Sequence, residues 1–389
     1  MKKICYLCDE NFDFFDAKIT HISHVINNLS KQGLEVTLIA PKPRSKLIEG
    51  IAAKSVLIPV LKKSIIKNLV YQFLLSFYLI VFILKERPEA FYVRQNATLI
   101  VHVLLSRMFS IPIITEINGV LCEELKSEGI PKFVISLVEI IEHLSYLNSK
   151  FIIANSLGLK KYIEKKYNIE STKIKVIGIG VNPKLFRPLD KKYCRKKLRI
   201  PINGRYVLYA GGLTHWQGVD YLIESVSLLN KNFNNLSLLI VGTGPERENL
   251  KKICNKLGIS KKVVFLNSVP NNQIPEYLGA SDICVCYLTR FKEGKYGPPT
   301  KVYEYMASQR PVIFSKLIGM ENFLEKNKVL LSKPENSIDL ARKIEYLLRN
   351  KKISDRLAKI GRKYVVKNFS WEKIAKQIIS LLNEAQRRD

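Results

Sequence analysis

The chain has 389 residues, 47% of them hydrophobic, and carries a formal net charge of +29. This length predicts two domains of ordinary size, and the apolar content excludes a disordered or low-complexity chain. The seven scattered cysteines are typical of buried thiols in a reducing compartment and exclude a disulfide framework.

The positive charge extends over the whole chain. Residues 1–185 contain 25 basic and 16 acidic side chains, and residues 186–389 contain 38 and 18. Such a field favours polyanionic partners: a membrane surface, a nucleic acid or a phosphorylated substrate. Because the basic residues form no motif of a known nucleic-acid-binding module, we expect no nucleic-acid partner.

The first 182 residues alternate apolar strands with amphipathic helices. The strand predicted at 4–8 includes Cys5 and Cys8, and no second Cys or His pair at ligand spacing supports a zinc site there. A helix ending at Gly33 and a strand at 36–40 complete a βαβ unit. Further strands are predicted at 91–93, 112–115, 151–154 and 174–177, and helices at 97–109, 131–147 and 157–167. The pattern predicts one doubly wound α/β domain over residues 1–182.

A second α/β series follows a linker at 182–188 that is rich in proline and charge. Its strands are predicted at 206–210, 236–241, 263–266 and 283–286, and its helices at 218–230, 245–257 and 273–279. We assign this domain to residues 183–370 and an amphipathic C-terminal helix to 371–389. Ligands of open parallel sheets bind at the carboxyl ends of the strands, so we expect the site in a cleft between the domains.

The stretch Gly297–Ala307 has the features of an anion site. A Gly-Pro-Pro turn leads into a short predicted helix that Thr300 can cap. The first turn of a helix presents unpaired N–H groups and a partial positive charge, so a diphosphate can bind there without a metal. Lys301 adds a full charge, and Glu304 can accept two hydrogen bonds from a vicinal diol such as a ribose. The alternative is a surface helix with an i,i+3 ion pair, worth only ~0.2–0.5 kcal/mol.

Six short segments resemble, in order and spacing, the C-terminal domain of retaining glycosyltransferase family 4, the glycosyl transferases of group 1. They read YAGG from Tyr209, QGVDYLI from Gln217, LIVGTGP from Leu239, ASDI from Ala280, KVYEYMA from Lys301 and PVI from Pro311. Three further segments resemble features of the family. The interdomain signature is matched at 178–188, the first helix of the acceptor domain at 24–36, and the last crossover at 369–373. The resemblance covers essentially the whole chain. It implies the GT-B fold, in which two Rossmann-like domains face a cleft and the last helix returns to the N-terminal domain.

The resemblance also implies an activity. Such enzymes transfer a sugar, with retention, from a nucleoside diphosphate sugar, here a UDP- or GDP-sugar, without a metal or another cofactor. By position, Glu304 is the implied ribose contact, and the base is implied to lie near Val269. The implied diphosphate and turn contacts are Gly211, Gly212, Gln217, Gly244, Pro299, Thr300 and Lys301.

Two changes, at three positions, separate this chain from the common family pattern. Gly212 and Gln217 stand where many members have Arg and Lys, which removes two phosphate charges and gives Lys301 a larger role. Tyr296 stands where many members have an earlier glutamate, eight residues before Glu304. A subset of the family with a Pro-x-Lys-x-x-Glu-Tyr motif shares both changes, so we interpret them as a subtype and not as a loss of activity.

Glu116 and Asn118 follow the strand predicted at 112–115, at its carboxyl end. We predict that they lie on the acceptor side of the site, and loop capping is the alternative. No motif in the first domain supplies a carboxylate nucleophile. Front-side attack with the donor phosphate as base is therefore what the resemblance implies.

A basic segment precedes an apolar one in the first domain. Residues 42–67 hold a single acid, Glu49, and seven bases: Lys42, Arg44, Lys46, Lys54, Lys62, Lys63 and Lys67. Residues 69–84, which follow, are apolar except for Gln72 and Ser76 and are short for a membrane span. The two segments fit an interfacial anchor, at ~1 kcal/mol per basic residue near an anionic surface. Alternatively, 69–84 packs on its own sheet and the lysines are solvated.

These patterns predict a cytoplasmic protein bound peripherally at the inner face of the membrane, because the N-terminus is not a signal peptide. The expected acceptor is lipid-linked or a glycan, in cell-surface polysaccharide, glycolipid or glycoprotein-glycan synthesis. Two alternatives stay open. A hydrolysing sugar-nucleotide epimerase of the same fold would turn over donor without acceptor, and a non-catalytic membrane-bound scaffold would bind nucleotide and release nothing.

Overall fold

A computed structural model describes residues 2–10, 12–13, 17–44, 50–60, 67–95, 100–127, 129–292, 297–318 and 328–387. The chain divides into two compact units. Unit 1 comprises Met1–Gly178 together with Trp371–Asp389, and unit 2 comprises Ile179–Ser370.

Unit 1 is built on a parallel sheet of seven strands, ordered β3-β2-β1-β4-β5-β6-β7. The strands are β1 (Lys3–Leu7), β2 (Glu35–Pro41), β3 (Lys54–Ile58), β4 (Ala90–Arg94), β5 (Ile113–Ile117), β6 (Phe151–Ala154) and β7 (Ile174–Val176). The strands from β4 to β6 are buried along their whole length. Near-continuous apolar runs of this kind are required where helices cover both faces of a sheet.

Among the described residues, six helices connect these strands. They are α1 (Ala17–Lys31), α2 (Lys67–Glu86), α3 (Val101–Phe109), α4 (Leu121–Ser127), α5 (Lys132–Asn148) and α6 (Leu157–Tyr167). The strand order reverses at β1, and parallel crossovers are right-handed, so α1 lies on one face of the sheet and α2, α3 and α5 lie on the other. Of the helix predicted over 97–109, residues 97–99 lie outside the described ones.

Unit 2 is built on a parallel sheet of six strands, ordered β10-β9-β8-β11-β12-β13. The strands are β8 (Arg205–Ala210), β9 (Leu236–Val241), β10 (Val263–Leu266), β11 (Ile283–Cys286), β12 (Val312–Ser315) and β13 (Leu330–Ser332). The helices are α7 (Lys191–Lys197), α8 (Val219–Leu229), α9 (Arg247–Lys256), α10 (Ile274–Ala280), α11 (Thr300–Ala307), α12 (Ser337–Arg349) and α13 (Lys351–Phe369). The strand order reverses between β8 and β11, which places a ligand-binding switch point at the carboxyl ends of these two strands.

The last helix, α14 (Trp371–Gln386), packs on α1 within unit 1. The buried ring of Trp371 stacks on His24 with 5.2 Å between the ring centroids. Both units thus have the doubly wound parallel-sheet architecture that the sequence predicts. All seven cysteines are buried free thiols.

The apolar segment at 69–84 packs on its own sheet. Within α2, the side chains of Tyr71, Leu75, Leu79 and Phe82 belong to the core of unit 1. This packing agrees with the second of the two roles predicted for the segment. Other apolar side chains of the same helix are exposed.

Candidate active site

The stretch Gly297–Ala307 lies at the switch point of unit 2, because Tyr305 ties α11 to the end of β8. The Tyr305 hydroxyl accepts a hydrogen bond from the Ala210 amide at 2.8 Å and donates to the Ala210 carbonyl at 2.9 Å. Gly211 and Gly212 follow Ala210 directly. The start of α11 therefore lies beside the glycine turn after β8.

The helix start differs from the prediction at one residue. Thr300 is the first helical residue and Pro299 occupies the cap position, so the prediction that Thr300 caps the helix is wrong. The reason is that Pro299 itself has the extended backbone of a cap residue, with φ −69° and ψ 152°, and its carbonyl accepts from the Val302 amide at 3.0 Å. No side chain caps α11 within the described structure, which leaves its first N–H groups for a ligand.

Lys301 is a half-buried cation with neutral hydrogen-bond partners. Its Nζ donates to the Tyr209 hydroxyl at 2.9 Å and to Oε1 of Gln217 at 2.8 Å. Burial lowers the pKa of Lys301. Gln217 stands where many family members have Lys, and a second ammonium there would repel Lys301, whereas the amide oxygen accepts from it. In the described part of the chain no carboxylate pairs with Lys301, so the ammonium can meet an anionic ligand.

The three glycines of the predicted site differ in what a side chain at each position would meet. Gly211 has φ +152°, and a Cβ there would lie 2.4 Å from Lys301 Nζ. A Cβ on Gly212 would meet no heavy atom within 4 Å, which leaves space beside the turn. Gly244 packs on the neighbouring turn, since a Cβ added at this position would lie 2.3 Å from the Leu213 carbonyl oxygen. Gly211 is thus required by the close approach of Lys301, Gly212 faces open space, and Gly244 is required by the packing of the two turns.

Glu304 lies one turn into α11. Burial raises the pKa of its carboxyl to about 7, and the neighbouring Lys301 ammonium opposes that shift only partly. Among the described residues, none donates a hydrogen bond to this carboxylate. A partly buried acceptor without a partner is costly, and a ligand with two hydroxyl donors would satisfy it.

The predicted base contact lies on another loop of the same edge. Val269 is half-buried in the loop after β10, two strands away from β8. Arg247, which the sequence analysis missed, holds this region together. Its Nη1 donates to the carbonyls of Gly242 and Leu266, both at 3.0 Å, and so joins the ends of β9 and β10. Its position directly after the Gly-Thr-Gly-Pro-Glu turn is the signal that could have identified it.

Glu116 is enclosed within unit 1. It lies inside β5 and not after the strand, because the pairing with β4 and β6 continues through residue 116. Its carboxylate accepts from the Tyr92 hydroxyl at 2.9 Å and from the Asn118 amide at 3.0 Å, and it contacts His21 Nε2. Burial alone would raise the pKa of Glu116, but His21, Arg94 and Asn118 together hold it at about 2.

The His21 contact was also missed, because α1 and β5 are far apart in sequence. A carboxylate with these partners stays ionised and orients the His21 ring. The acceptor-side role of Glu116 and Asn118 stays a prediction.

Several predictions concern absences or residues outside the described structure. The described residues contain no group of three or more His, Cys, Asp or Glu side chains that could hold a metal ion. Metal-free chemistry itself stays a prediction. No described helix is long and apolar enough to cross a membrane. Tyr296, Lys46, Lys62 and Lys63 lie outside the described residues.

Comparison with known proteins assigns each unit to a family. Residues 20–185 match the model described as Glycosyltransferase Family 4, and residues 190–364 match the model described as Glycosyl transferases group 1. Together with the two parallel-sheet units, these matches show that the chain belongs to the glycosyltransferases of the GT-B fold.

Relatives and solved structures agree with this assignment. An uncharacterized glycosyltransferase of Methanocaldococcus jannaschii is 27% identical over 251 residues, which cover 63% of this chain and 62% of that protein. The putative teichuronic acid biosynthesis glycosyltransferase TuaC of Bacillus subtilis is 29% identical over 199 residues, 51% of this chain and 46% of the relative. Anabaena HepE in complex with UDP-glucose superposes with a TM-score of 0.78 at 17% identity, covering 99% of this chain and 100% of HepE.

Proposed function

We propose that this protein is a retaining glycosyltransferase that takes a sugar from a UDP- or GDP-sugar without a metal. The observation that carries the proposal is the pair of incomplete groups at the start of α11. Among the described residues, Lys301 forms no ion pair at contact distance and the Glu304 carboxylate accepts no hydrogen bond, although the two charges attract each other. A nucleoside diphosphate supplies both, because its phosphates are anionic and its ribose carries a vicinal diol.

The arrangement suits departure of a diphosphate leaving group. As the bond from the sugar to the phosphate breaks, negative charge grows on the phosphate oxygens. The Lys301 ammonium and the first amides of α11 are held in place before the reaction and stabilise that charge without reorganising. The acceptor hydroxyl attacks from the face that the leaving group vacates, and a phosphate oxygen takes its proton, so the configuration at the sugar carbon is retained.

We propose a lipid-linked or glycan acceptor, in the synthesis of a cell-surface polysaccharide, glycolipid or glycoprotein glycan, at the inner face of the membrane. The relative named for teichuronic acid biosynthesis and the net charge of +29 support this part of the proposal. The Anabaena complex makes UDP-glucose the first donor to test.

The test measures free nucleotide released by the full chain from a panel of UDP- and GDP-sugars, with and without a membrane lipid extract. We expect release with one donor class that depends on the extract and that is strongly reduced in Glu304→Ala when the donor is below saturation. Asp355→Ala, which removes an exposed carboxylate of α13, is the matched control and should release nucleotide at the wild-type rate. Release without any acceptor would favour an epimerase, and no release with any donor would favour a nucleotide-binding scaffold.

A further inference from the structure

One surface of unit 1 exposes large apolar side chains where a folded protein normally presents polar ones. Along α5 they recur at helical spacing and form a single stripe. Its members are Phe133, Leu137, Ile140, Leu144 and Leu147, and Phe133 is 76% exposed. The stripe extends over roughly 21 Å of helix, at about 1.5 Å per residue.

α2 carries a second stripe of the same kind. Its exposed members are Phe73, Phe77, Ile80, Val81 and Leu84, and Phe77 is 62% exposed. The core side of α2 is also apolar, so this helix is apolar on both sides although the sheet covers only one. Helices that are apolar all round are normally enclosed by protein or by lipid.

α3 joins the two stripes into one surface. The three helices lie on the same face of the sheet, and α3 packs against both α2 and α5. Its exposed side adds Leu104 and Met108. We call these twelve residues of α2, α3 and α5 the apolar face.

The charges that border the apolar face are basic. Residues 68–84 contain no charged side chain, and Lys85, Arg107 and Lys132 are exposed bases at ends of the three helices. The acid beside Lys85, Glu86, is neutralised by an ion pair with Lys3 at 3.2 Å. The acids of α5 do not oppose these bases, because Glu139 pairs with Lys166 at 2.7 Å and Glu142 is buried. An apolar surface with a cationic border is complementary to an anionic bilayer, whose headgroups surround an apolar interior.

We propose that the apolar face is the surface by which unit 1 docks on an anionic lipid bilayer, with α2, α3 and α5 lying in the plane of the interface. The net charge of +29 disfavours a second copy as occupant, since two such chains repel each other. The proposal deepens the proposed function, because it brings the site to a lipid-linked acceptor. It does not depend on catalysis, and its test measures lipid binding alone.

The experiment is co-sedimentation of the full chain with vesicles of phosphatidylcholine alone or mixed with phosphatidylglycerol, at low and high salt. We expect binding to the anionic vesicles that weakens but persists at high salt, since salt screens the basic border and not the apolar contact. The triple variant Phe77→Glu/Leu104→Glu/Leu137→Glu should lower the partition coefficient by about tenfold or more.

The matched control changes three exposed apolar residues of unit 2 in the same way: Leu228→Glu, Ile338→Glu and Ile353→Glu. It has the same net charge as the unit 1 triple variant, so both lose the same electrostatic attraction to the anionic vesicles. Apart from that loss, the control should bind vesicles like the wild type. Circular dichroism and nucleotide affinity should be unchanged in both, which shows that they fold.

Equal partition of the two triple variants would overturn the proposal. So would light scattering that finds a wild-type dimer which the unit 1 variant alone dissociates, since a second copy would then occupy the apolar face. Vesicle binding without nucleotide release from any donor would retain the docking surface and reject the proposed transferase.

Discussion

Each unit holds a carboxylate near basic groups, buried in unit 1 and half-buried in unit 2, yet the two carboxylates differ in their hydrogen bonds and in the direction of their pKa shifts. In unit 1, Glu116 has hydrogen-bond partners for both carboxylate oxygens and a pKa held at about 2. In unit 2, Glu304 has no hydrogen-bond donor among the described residues and a pKa raised to about 7. The first cluster is complete as folded. The second is complete only when a ligand supplies an anion and hydroxyl donors, and this difference is what distinguishes a structural cluster from a binding site.

The largest expected effect is on turnover. Lys301→Ala should lower kcat by about 10²–10³, because it removes a fixed donor from the leaving phosphate. Steady-state kinetics, with the donor that the nucleotide-release assay identifies, measure this change in kcat. Lys359→Ala, on α13, is a control for the loss of one positive charge. A Lys301→Ala enzyme with wild-type kcat would show that this ammonium does not contact the leaving group.

Glu116→Gln should act on stability and not on nucleotide binding. It leaves buried partners poorly satisfied, so the free energy of unfolding should fall by about 1–3 kcal/mol. The folded pKa of about 2 lies below the ordinary value of 4.5, so the wild-type stabilisation is present above pH 4.5 and is lost as the pH falls through about 2.

Denaturant unfolding at several pH values measures both effects of Glu116→Gln. The free energy of unfolding should depend less on acidic pH in the variant than in the wild type, and the nucleotide affinity should be unchanged. Reduced nucleotide affinity at full stability would place Glu116 in the donor site instead.

Glu304→Ala should mainly weaken donor binding. Two hydrogen bonds from the ribose to a charged acceptor are lost, which should raise the Kd of the nucleotide by about 10–100-fold. Titration calorimetry measures it, with Asp355→Ala as the control. An unchanged Kd with a reduced kcat would assign Glu304 to the reacting centre and not to the ribose.

The smallest expected effect is on pH dependence. As the pH falls through about 7, the Glu304 carboxylate takes up a proton and loses acceptor capacity, so nucleotide affinity should fall by at most about tenfold per pH unit. In Glu304→Gln this dependence should disappear. A pH profile that is the same in both proteins would trace the titration to another group.

The sequence indicates which candidate residues of unit 2 lie close together, but it does not indicate the partners of Glu116 in unit 1, and the reason is chain locality. Lys301 and Glu304 belong to one helical turn, and the glycine turns that border them follow strands with clear apolar runs. The partners of Glu116 come from α1 and β4, and no local pattern connects them. Short elements such as β3 and β13 were missed because three to five residues carry little periodicity.

The apolar segment at 69–84 shows a second limit. A helix that is apolar all round gives no periodicity from which its core side can be read, so packing and membrane contact could not be separated. The structure shows which side of α2 packs on the sheet and which side is exposed. It also shows that the exposed stripe of α5 lies on the same face of the sheet as α2, which depends on the order of the strands. Strand order is a long-range property that one sequence does not display.

The most direct test of the central claim is calorimetric titration of the full chain with UDP and with GDP in the presence of EDTA. We expect one nucleotide to bind to the wild type without metal and to bind far more weakly to Glu304→Ala. Failure of both nucleotides to bind, or equal binding to wild type and variant, would contradict it.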